Sequence, residues 1–202
     1  MEKFIIDWEK LEDIGYVTNL GKSLKNTLHK FNKDELFEEL FDMIQYFTSM
    51  DEEAIPYENR IKSIQSCDLK YSKYYPNVPV EKAFNDILGI RITISDYSIY
   101  DLIKIPENVR IADMRNGKAN DDGYRGIHLY IQKSHFHYPV EVQFVTEKDK
   151  IFNQLLHDNL YKQEPNPEVG KKLRMLYDSG KINNEEDFRK EYQNVLLNCK
   201  KI

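Results

Sequence analysis

Two short segments in which apolar and polar residues alternate constrain the fold of this chain most strongly. In the first, Ile127, Leu129 and Ile131 alternate with polar or aromatic residues, and in the second Val140 to Phe144 follows the same rule. A period of two residues is typical of a β-strand with one buried face. Because a short connection joins the segments, they predict two paired strands, a hairpin.

The second face of this hairpin carries chemically versatile side chains. Cross-strand neighbours on one face contact each other, so His128, Tyr130, Glu141 and Gln143 are expected side by side. Two interpretations remain open from the pattern alone. The face is either the solvated side of an antiparallel sheet or part of a functional site.

A turn with an unusual composition precedes the first of these strands. Asp-Asp-Gly is typical turn chemistry, but here it continues into Tyr124 and Arg125 before a second glycine. An aromatic ring in a glycine-bounded turn can present its face to a flat ligand. The turn is therefore a candidate for base recognition.

Helical patterns flank the strands on both sides. Leu36, Phe37, Leu40, Phe41, Ile44 and Phe47 form one stripe at helical spacing, after a candidate N-cap at Asn32. Strands with short helices follow from about residue 57 to 146, and helical patterns return from residue 147. The order predicts an α+β fold, with a mixed β-sheet flanked by N-terminal and C-terminal helices.

The predicted organisation is a single domain over residues 1–202. Its core is expected at about 55–165, with a helical N-terminal region at 1–52 and a helical C-terminal region at 166–202. A chain of this length can bury a sizeable core.

Composition narrows the class of protein. Hydrophobic residues make up 41% and charged residues 31%, and no apolar run approaches the roughly 20 residues of a membrane span. The acidic N-terminal segment does not resemble a signal peptide, so a cytoplasmic protein without membrane contact is expected. The two cysteines do not form a disulfide framework. A net charge of −5 argues against general coating of nucleic acid but leaves room for a local basic patch.

The apolar segment from Leu88 to Ile92 carries two residues that a plain buried strand would avoid. Arg91 is costly there unless an anion meets it, and Gly89 lets a ligand approach the backbone. Asp86 before this strand and Glu141 in the hairpin together offer the carboxylate oxygens that Mg²⁺ prefers. The alternative is a structural ion pair of Arg91 with Asp86 or Glu141.

Four motifs in order resemble the synthetase domain of RelA/SpoT-like proteins over roughly residues 55–165. They are RIKS from Arg60, DILGIRI from Asp86, GYRGIHL from Gly123 and EVQFVT from Glu141. The resemblance implies a nucleotidyltransferase-like fold. It also implies transfer of the β,γ-pyrophosphoryl group of ATP to a ribose 3′-hydroxyl, with release of AMP.

The resemblance assigns roles on the donor side of this reaction. Asp86 and Glu141 match the residues that hold Mg²⁺, and Glu141 also matches the group that activates the attacking hydroxyl. Arg60 and Lys62, with Ser63 in the same motif, match the segment that grips ATP. Arg91 is expected to face the ATP phosphates.

The resemblance also assigns residues on the acceptor side. Tyr124 matches the tyrosine that stacks on the acceptor base, and Arg125, His128 and Gln143 are expected to orient the nucleotides around it. Many relatives carry an arginine where Val145 stands. Further departures are Leu156 and Leu160, with a shifted Asn159, at positions that help to recognise guanine, and a short loop at 111–123.

These departures favour the 3′ CCA end of tRNA over GTP or GDP as acceptor, as in the toxic branch of the small alarmone synthetases. A basic fringe would hold the tRNA backbone; the candidates are Lys22, Lys25, Lys30, Arg110, Arg115 and Lys118. A toxin of this type requires a neutralising antitoxin as partner. The alternatives are a (p)ppGpp synthetase that uses GTP or GDP, and an inactive module that binds nucleotide.

Overall fold

A computed structural model describes residues 6–50, 57–160 and 166–199 of the chain. The described part is an α+β protein, which confirms the predicted fold class. Its elements in chain order are α1 (Trp8–Asp13), a 3₁₀ turn (Leu28–Lys30), α2 (Lys33–Thr48), β1 (Glu58–Ile61), α3 (Ile64–Tyr74), α4 (Val80–Ala83), β2 (Leu88–Ile94), α5 (Ser98–Asp101), β3 (Arg110–Asp113), β4 (Ile127–Ile131), β5 (Val140–Thr146), α6 (Glu147–Asn159), α7 (Pro167–Asp178) and α8 (Glu185–Cys199). None of these helices has the length and apolar character needed to cross a membrane.

The five strands form one mixed sheet in the order β1-β2-β5-β4-β3. The two alternating segments are neighbours, β4 and β5, as the sequence predicted. β1 pairs antiparallel with β2, with Arg60 opposite Gly89 and Glu58 opposite Arg91. In β2, Leu88, Ile90 and Ile92 are buried while Gly89 and Arg91 are half-buried, so the expected alternation of faces is present.

The chain divides into two compact units. The first unit takes its described residues from Met1–Ile92, Asp101–Ile111 and His128–Gln143. The second unit takes them from Thr93–Tyr100, Ala112–Ile127 and Phe144–Ile202.

Helix α2 of the first unit begins where the sequence predicted. The Asn32 side chain accepts hydrogen bonds from the backbone N–H groups of Asp34 and Glu35 and so satisfies two donors of the first turn. The predicted apolar stripe is wrong at Phe41, which is 52% exposed, while Met43 is fully buried. The buried face of α2 is therefore rotated relative to the prediction, because it follows contacts that the sequence does not show.

A buried carboxylate on this face ties distant parts of the first unit together. Glu39 accepts hydrogen bonds from Thr18 Oγ1 at 2.7 Å, from the Asn19 backbone N–H at 2.5 Å and from Tyr138 Oη at 2.8 Å. The Glu39 side chain is only 5% exposed. A buried charge is tolerated only when it is well hydrogen-bonded, so this cluster fixes α2 against the N-terminal segment and the segment that precedes β5.

The second unit has its own apolar core between α6, α7 and α8. The residues buried in it are Phe152, Leu156, Leu160, Val169, Leu173, Ile182, Phe188, Tyr192 and Val195. Two of the positions that departed from the family pattern, Leu156 and Leu160, are therefore core residues.

Candidate active site

Glu141 is the most buried carboxylate of the predicted site, at 5% exposure on β5. His128 Nδ1 on β4 donates to Glu141 Oε1 at 2.9 Å, and Gln143 Nε2 donates to Oε2 at 2.7 Å. The Tyr130 hydroxyl also hydrogen-bonds this carboxylate. The structure thus brings together the four side chains that the strand pattern had placed on one face. This face is largely buried rather than solvated.

These hydrogen bonds decide the charge of Glu141. Burial by itself raises the pKa of a carboxyl group, but the bonds from His128, Gln143 and Tyr130 outweigh burial, and the pKa of Glu141 lies below its ordinary 4.5. The group is therefore ionised at neutral pH. The stability it contributes is complete above the ordinary pKa and is lost as the pH falls through the lowered value.

Asp86 lies in the turn before β2 with a lysine on each carboxylate oxygen. Lys62 Nζ is 2.9 Å from Oδ2 and Lys70 Nζ is 2.8 Å from Oδ1. All three side chains are less than a quarter exposed. Two ammonium groups on one carboxylate leave a net positive charge, so this corner of the first unit suits an anionic ligand.

The sequence pattern did not predict Lys70 as a residue of the site. It lies in α3, whose N-cap Ser63 accepts a hydrogen bond from the Ser66 backbone N–H. The predicted ATP-binding Ser63 therefore has a structural task as well. The sequence signal for Lys70 was its place in a helix that begins directly after the RIKS motif.

Gly89 lies beside Glu141. A Cβ at Gly89 would be in van der Waals contact with Glu141 Oε2, at 3.5 Å, and with the Arg60 carbonyl oxygen, at 3.7 Å, so the glycine omits a methyl group that would pack against this carboxylate oxygen. The pKa of Tyr130 is raised by burial first, and then by Glu141 and, more weakly, by Asp86. Both predicted metal ligands therefore raise the pKa of the same tyrosine.

The two carboxylates fit a Mg²⁺ ion in their chemistry. Hard oxygen ligands suit Mg²⁺, which commonly takes one or two carboxylates and completes its shell with substrate phosphates and water. Among the described residues there is no group of three or more His, Cys, Asp or Glu side chains that could hold a metal without such help. A site at Asp86 and Glu141 would therefore depend on the phosphates of the substrate.

Arg91 and Arg60, the two arginines predicted to contact ATP, differ in their surroundings. Arg91 pairs with Glu58 on the neighbouring strand at 3.0 Å. The predicted alternative of a structural ion pair with Asp86 or Glu141 is wrong in its partner, because the antiparallel register sets Glu58 opposite Arg91. Arg60 is exposed on β1.

A basic cleft of about 360 Å³ lies in the first unit beside Tyr130. The Arg110 guanidinium lies 3.7 Å from the centre of the Tyr130 ring, a cation–π contact. The other cationic side chains of its wall are Lys25, Lys82 and Lys133, and His135 also lines it. Lys133 pairs with Asp13 at 2.7 Å. Glu81, the one acidic residue among the described residues that line the cleft, receives a hydrogen bond from Gln132.

The turn that carries Tyr124 belongs to the second unit and is held by carboxylates. The Asp121 side chain accepts from the Gly123 backbone N–H at 3.0 Å and binds the Arg125 guanidinium through both oxygens, at 2.7 and 3.1 Å. Hydrogen bonding from Arg125 lowers the pKa of Asp121. Arg125, which was predicted to orient nucleotides, thus stabilises its own turn. The Asn153 side chain accepts a hydrogen bond from the Arg125 backbone N–H and donates one to the Arg125 carbonyl oxygen.

Lys118 and Tyr124, both predicted on the acceptor side, lie together. Lys118 Nζ is 5.0 Å from the centre of the Tyr124 ring and 2.7 Å from Asp122 Oδ2. The ring lies against Gly126, where a Cβ would come within 3.1 Å of the Tyr124 hydroxyl. The ammonium group covers one side of the ring at the distance of a cation–π contact.

Comparison with known proteins identifies the class of this chain. A family model described as "Region found in RelA / SpoT proteins" matches residues 59–166, more than half of the chain. The chain therefore belongs to the RelA/SpoT family, and it is an enzyme of the pyrophosphokinase type. No curated protein matches it.

Several solved structures are similar to the chain. Small alarmone synthetase 1 from Bacillus subtilis, bound to its product pppGpp, is 17% identical with a TM-score of 0.45, over 82% of this chain and 89% of that one. Small alarmone synthetase 2 from Bacillus subtilis is 21% identical with a TM-score of 0.42, over 86% and 95%. A GTP pyrophosphokinase family protein from Streptococcus pneumoniae is 19% identical with a TM-score of 0.39, over 83% and 86%.

Proposed function

We propose that this enzyme transfers the β,γ-pyrophosphoryl group of ATP to the ribose 3′-hydroxyl at the CCA end of tRNA. One observation carries the proposal: the first unit contains both Glu141, a buried and ionised carboxylate, and Asp86, a carboxylate that forms ion pairs with two lysines. Transfer of phosphoryl-type groups depends on positioning and on neutralisation of negative charge. The first unit offers both.

Glu141 is the group proposed to activate the acceptor. Its Oε2 lies beside Gly89, which has no side chain to pack against it, and this oxygen is proposed to accept the proton of the attacking hydroxyl. As that proton moves to Glu141, the 3′-oxygen bonds to the β-phosphorus, and the bond between this phosphorus and the bridging oxygen of the leaving AMP breaks. His128 and Gln143 hold the carboxylate in place through their hydrogen bonds.

Asp86 and Glu141 are the proposed Mg²⁺ ligands. A bound Mg²⁺ would neutralise charge on the ATP phosphates. Lys62 and Lys70 supply further positive charge from the protein itself, at the carboxylate that would share the ion. Arg60 and Arg91 on the neighbouring strands are proposed to contact the ATP phosphates, and Ser63 begins the helix that carries Lys70.

Removal of one lysine tests the donor side. Lys62→Ala is expected to weaken binding of a non-hydrolysable ATP analogue by about 1–3 kcal/mol, the scale of a charge-assisted contact. Titration calorimetry measures this directly. Lys33→Ala is the matched control, because Lys33 also pairs with an aspartate, Asp68, but at an exposed site. If the variant kept its affinity for ATP and only its use of acceptor declined, Lys62 would belong to the acceptor side.

The basic cleft supports tRNA as acceptor. Within the described residues, Lys25, Lys82 and Arg110 line it without forming an ion pair. Several uncompensated cations in one cleft suit a ligand with repeated phosphates. Tyr124 is proposed to stack on the terminal base, which requires no particular base, while Leu156 and Leu160 are buried and cannot read a guanine edge.

Charge reversal in the cleft separates the acceptors. Lys25→Glu is expected to slow tRNA modification about tenfold at low salt. It should also weaken the dependence of this rate on salt concentration by the amount that corresponds to roughly one phosphate contact. Lys25 is preferred to Arg110 because Arg110 contacts Tyr130 and hence the Glu141 network. Initial rates over a series of salt concentrations measure the effect, and Lys190→Glu, at an exposed position of α8, is the control. An equal loss with a mononucleotide acceptor would contradict a role in binding tRNA.

A tRNA blocked at its 3′ end cannot be aminoacylated, so this activity would inhibit translation. We therefore also propose that the protein is a toxin, and that the cell that produces it requires an antitoxin protein to neutralise it. Transfer to GTP or GDP, which would yield (p)ppGpp, and nucleotide binding without transfer are the outcomes that the experiments must separate.

A further inference from the structure

Helix α7 makes an unusually close contact with the turn that carries Tyr124. Alanine is a better helix former than glycine, yet Gly170 occupies the first half of α7. A Cβ at Gly170 would overlap the carbonyl oxygen of Asp122, and a Cβ at Gly123 would overlap the carbonyl oxygen of Gly170. Gly123 also has a φ of +88°, which favours glycine. The two glycines therefore permit backbone contact between helix and turn.

Arg174, one helical turn after Gly170, reinforces this contact. It is 7% exposed, and its Cβ lies 3.3 Å from the position that a Cβ on Gly123 would take. Its Nη2 is 2.6 Å from Asp149 Oδ1 and its Nε donates to Asp178 Oδ2 at 2.9 Å. A charged side chain is rarely buried in a helix unless such partners hold it.

The chain of contacts continues from Arg174 toward Tyr124. Asp149 Oδ2 accepts hydrogen bonds from Tyr97 Oη at 2.8 Å and Thr146 Oγ1 at 2.9 Å. The pKa of Tyr97 is raised by burial, then by Asp149 and, more weakly, by Tyr124, so the two tyrosines lie within electrostatic reach. Arg174, Asp149 and Tyr97 thus connect α7 with the surroundings of the Tyr124 ring.

The ion pair between Arg174 and Asp149 is, by itself, poorly suited to stabilise the fold. Arg174 Nη1 is buried without a hydrogen-bond partner among the described residues. A buried ion pair is weak evidence of net stabilisation, because the cost of removing its charges from water offsets their attraction. A role in placing the turn accounts better for Arg174 at this position.

We propose that α7 sets the position of Tyr124, with Gly170 and Arg174 as positioning residues for the acceptor. This inference rests on the proposed function of Tyr124. Both residues lie beyond the segment 59–166 that matches the family. Acceptor handling would therefore depend on a C-terminal helix outside the family core.

Gly170→Ala in the full chain tests the proposal. A small displacement of a positioning group can cost up to about 100-fold in rate. The variant is expected to raise the KM for the acceptor and to lower kcat/KM for it by about 10- to 100-fold. The KM for ATP should stay within about twofold, because the ATP-side residues belong to the first unit. Met175→Ala, at a 66% exposed position of the same helix, is the matched control and should leave both values unchanged.

Hydrogen exchange supplies a readout that does not need activity. The backbone N–H groups of Gly123, Tyr124 and Arg125 donate to Asp121, Asp122 and Asn153 respectively. Gly170→Ala should accelerate exchange at these amides about tenfold or more, while the amides of α2 keep their rates. Arg174→Lys retains the charge but cannot reach both Asp149 and Asp178, so it should also accelerate exchange at these amides, to a smaller degree. This second variant keeps the test decisive if Gly170→Ala fails to fold.

The two readouts separate failure of this inference from failure of the proposed function. Unchanged exchange at the three amides in a folded variant would overturn the positioning role, whatever the enzyme transfers. Accelerated exchange with an unchanged acceptor KM would overturn the link to the acceptor. A wild-type chain that modifies no acceptor would refute the function, and exchange would still decide whether α7 holds the turn.

Discussion

Glu141→Gln is expected to lower pyrophosphoryl transfer by at least about 10²–10³-fold, because it removes both a metal ligand and the proton acceptor. Glutamine has nearly the same shape, so the fold should persist, although His128 and Tyr130 lose their anionic partner. Asp86→Asn should act similarly by weakening Mg²⁺ binding and freeing two lysines. The rate of AMP release from ATP in the presence of acceptor measures both effects.

Glu147→Gln is the matched control for this prediction. Glu147 is an exposed carboxylate that follows the end of β5, and its replacement should leave turnover within about twofold of the wild type. Circular dichroism would verify that each variant is folded. Turnover near the wild-type rate in either Glu141→Gln or Asp86→Asn would refute the assignment of that residue.

The second large effect concerns stability. Glu39→Ala is expected to lower the free energy of unfolding by about 3 kcal/mol, because the buried hydroxyl groups of Thr18 and Tyr138 and the partly buried backbone N–H of Asn19 would lose their acceptor. Tyr138→Phe removes one donor and leaves the other two, so its cost should be about 1 kcal/mol. Urea denaturation measures both changes.

The neighbouring Glu38 provides the comparison for Glu39. Glu38→Ala changes an exposed residue of the same helix, and a surface substitution of this kind should alter stability by no more than about 0.5 kcal/mol. If Glu39→Ala and Glu38→Ala were equally mild, the Glu39 cluster would not hold α2 in place.

Local periodicity predicted the sheet well. The alternation in β4 and β5 was sufficient to place Glu141 beside His128, since residues on one face of paired strands must be neighbours. The apolar face of β2 followed from the same rule. Asn32 was predicted as an N-cap because capping depends only on the next few residues.

Contacts between distant segments could not be predicted in this way. Glu39 resembles an ordinary surface glutamate, and its partner Tyr138 is 99 residues away. Lys70 joins Asp86 across 16 residues through the path of α3. The approach of Gly170 to Asp122 depends on how α7 packs in the second unit. Such positions are fixed by tertiary packing, which a pattern of residues along the chain does not specify.

The packing role of Leu156 and Leu160 could not be predicted from the sequence either. In the sequence they stood out only as departures from a family pattern. Their burial among Phe152, Leu173 and the other core residues of the second unit gives them a packing role. Their apolar character therefore has a cause of its own, independent of the acceptor.

The most direct test of the proposed function follows the label from γ-labelled ATP. The protein is incubated with Mg²⁺, labelled ATP and either bulk tRNA or GTP, and both AMP formation and the labelled product are quantified. We expect AMP and labelled tRNA in equal amounts, loss of the label after removal of the 3′-terminal adenosine, and no labelled tRNA with Glu141→Gln. Label that enters only the guanine nucleotide, or ATP that is converted to ADP without AMP, would contradict this account.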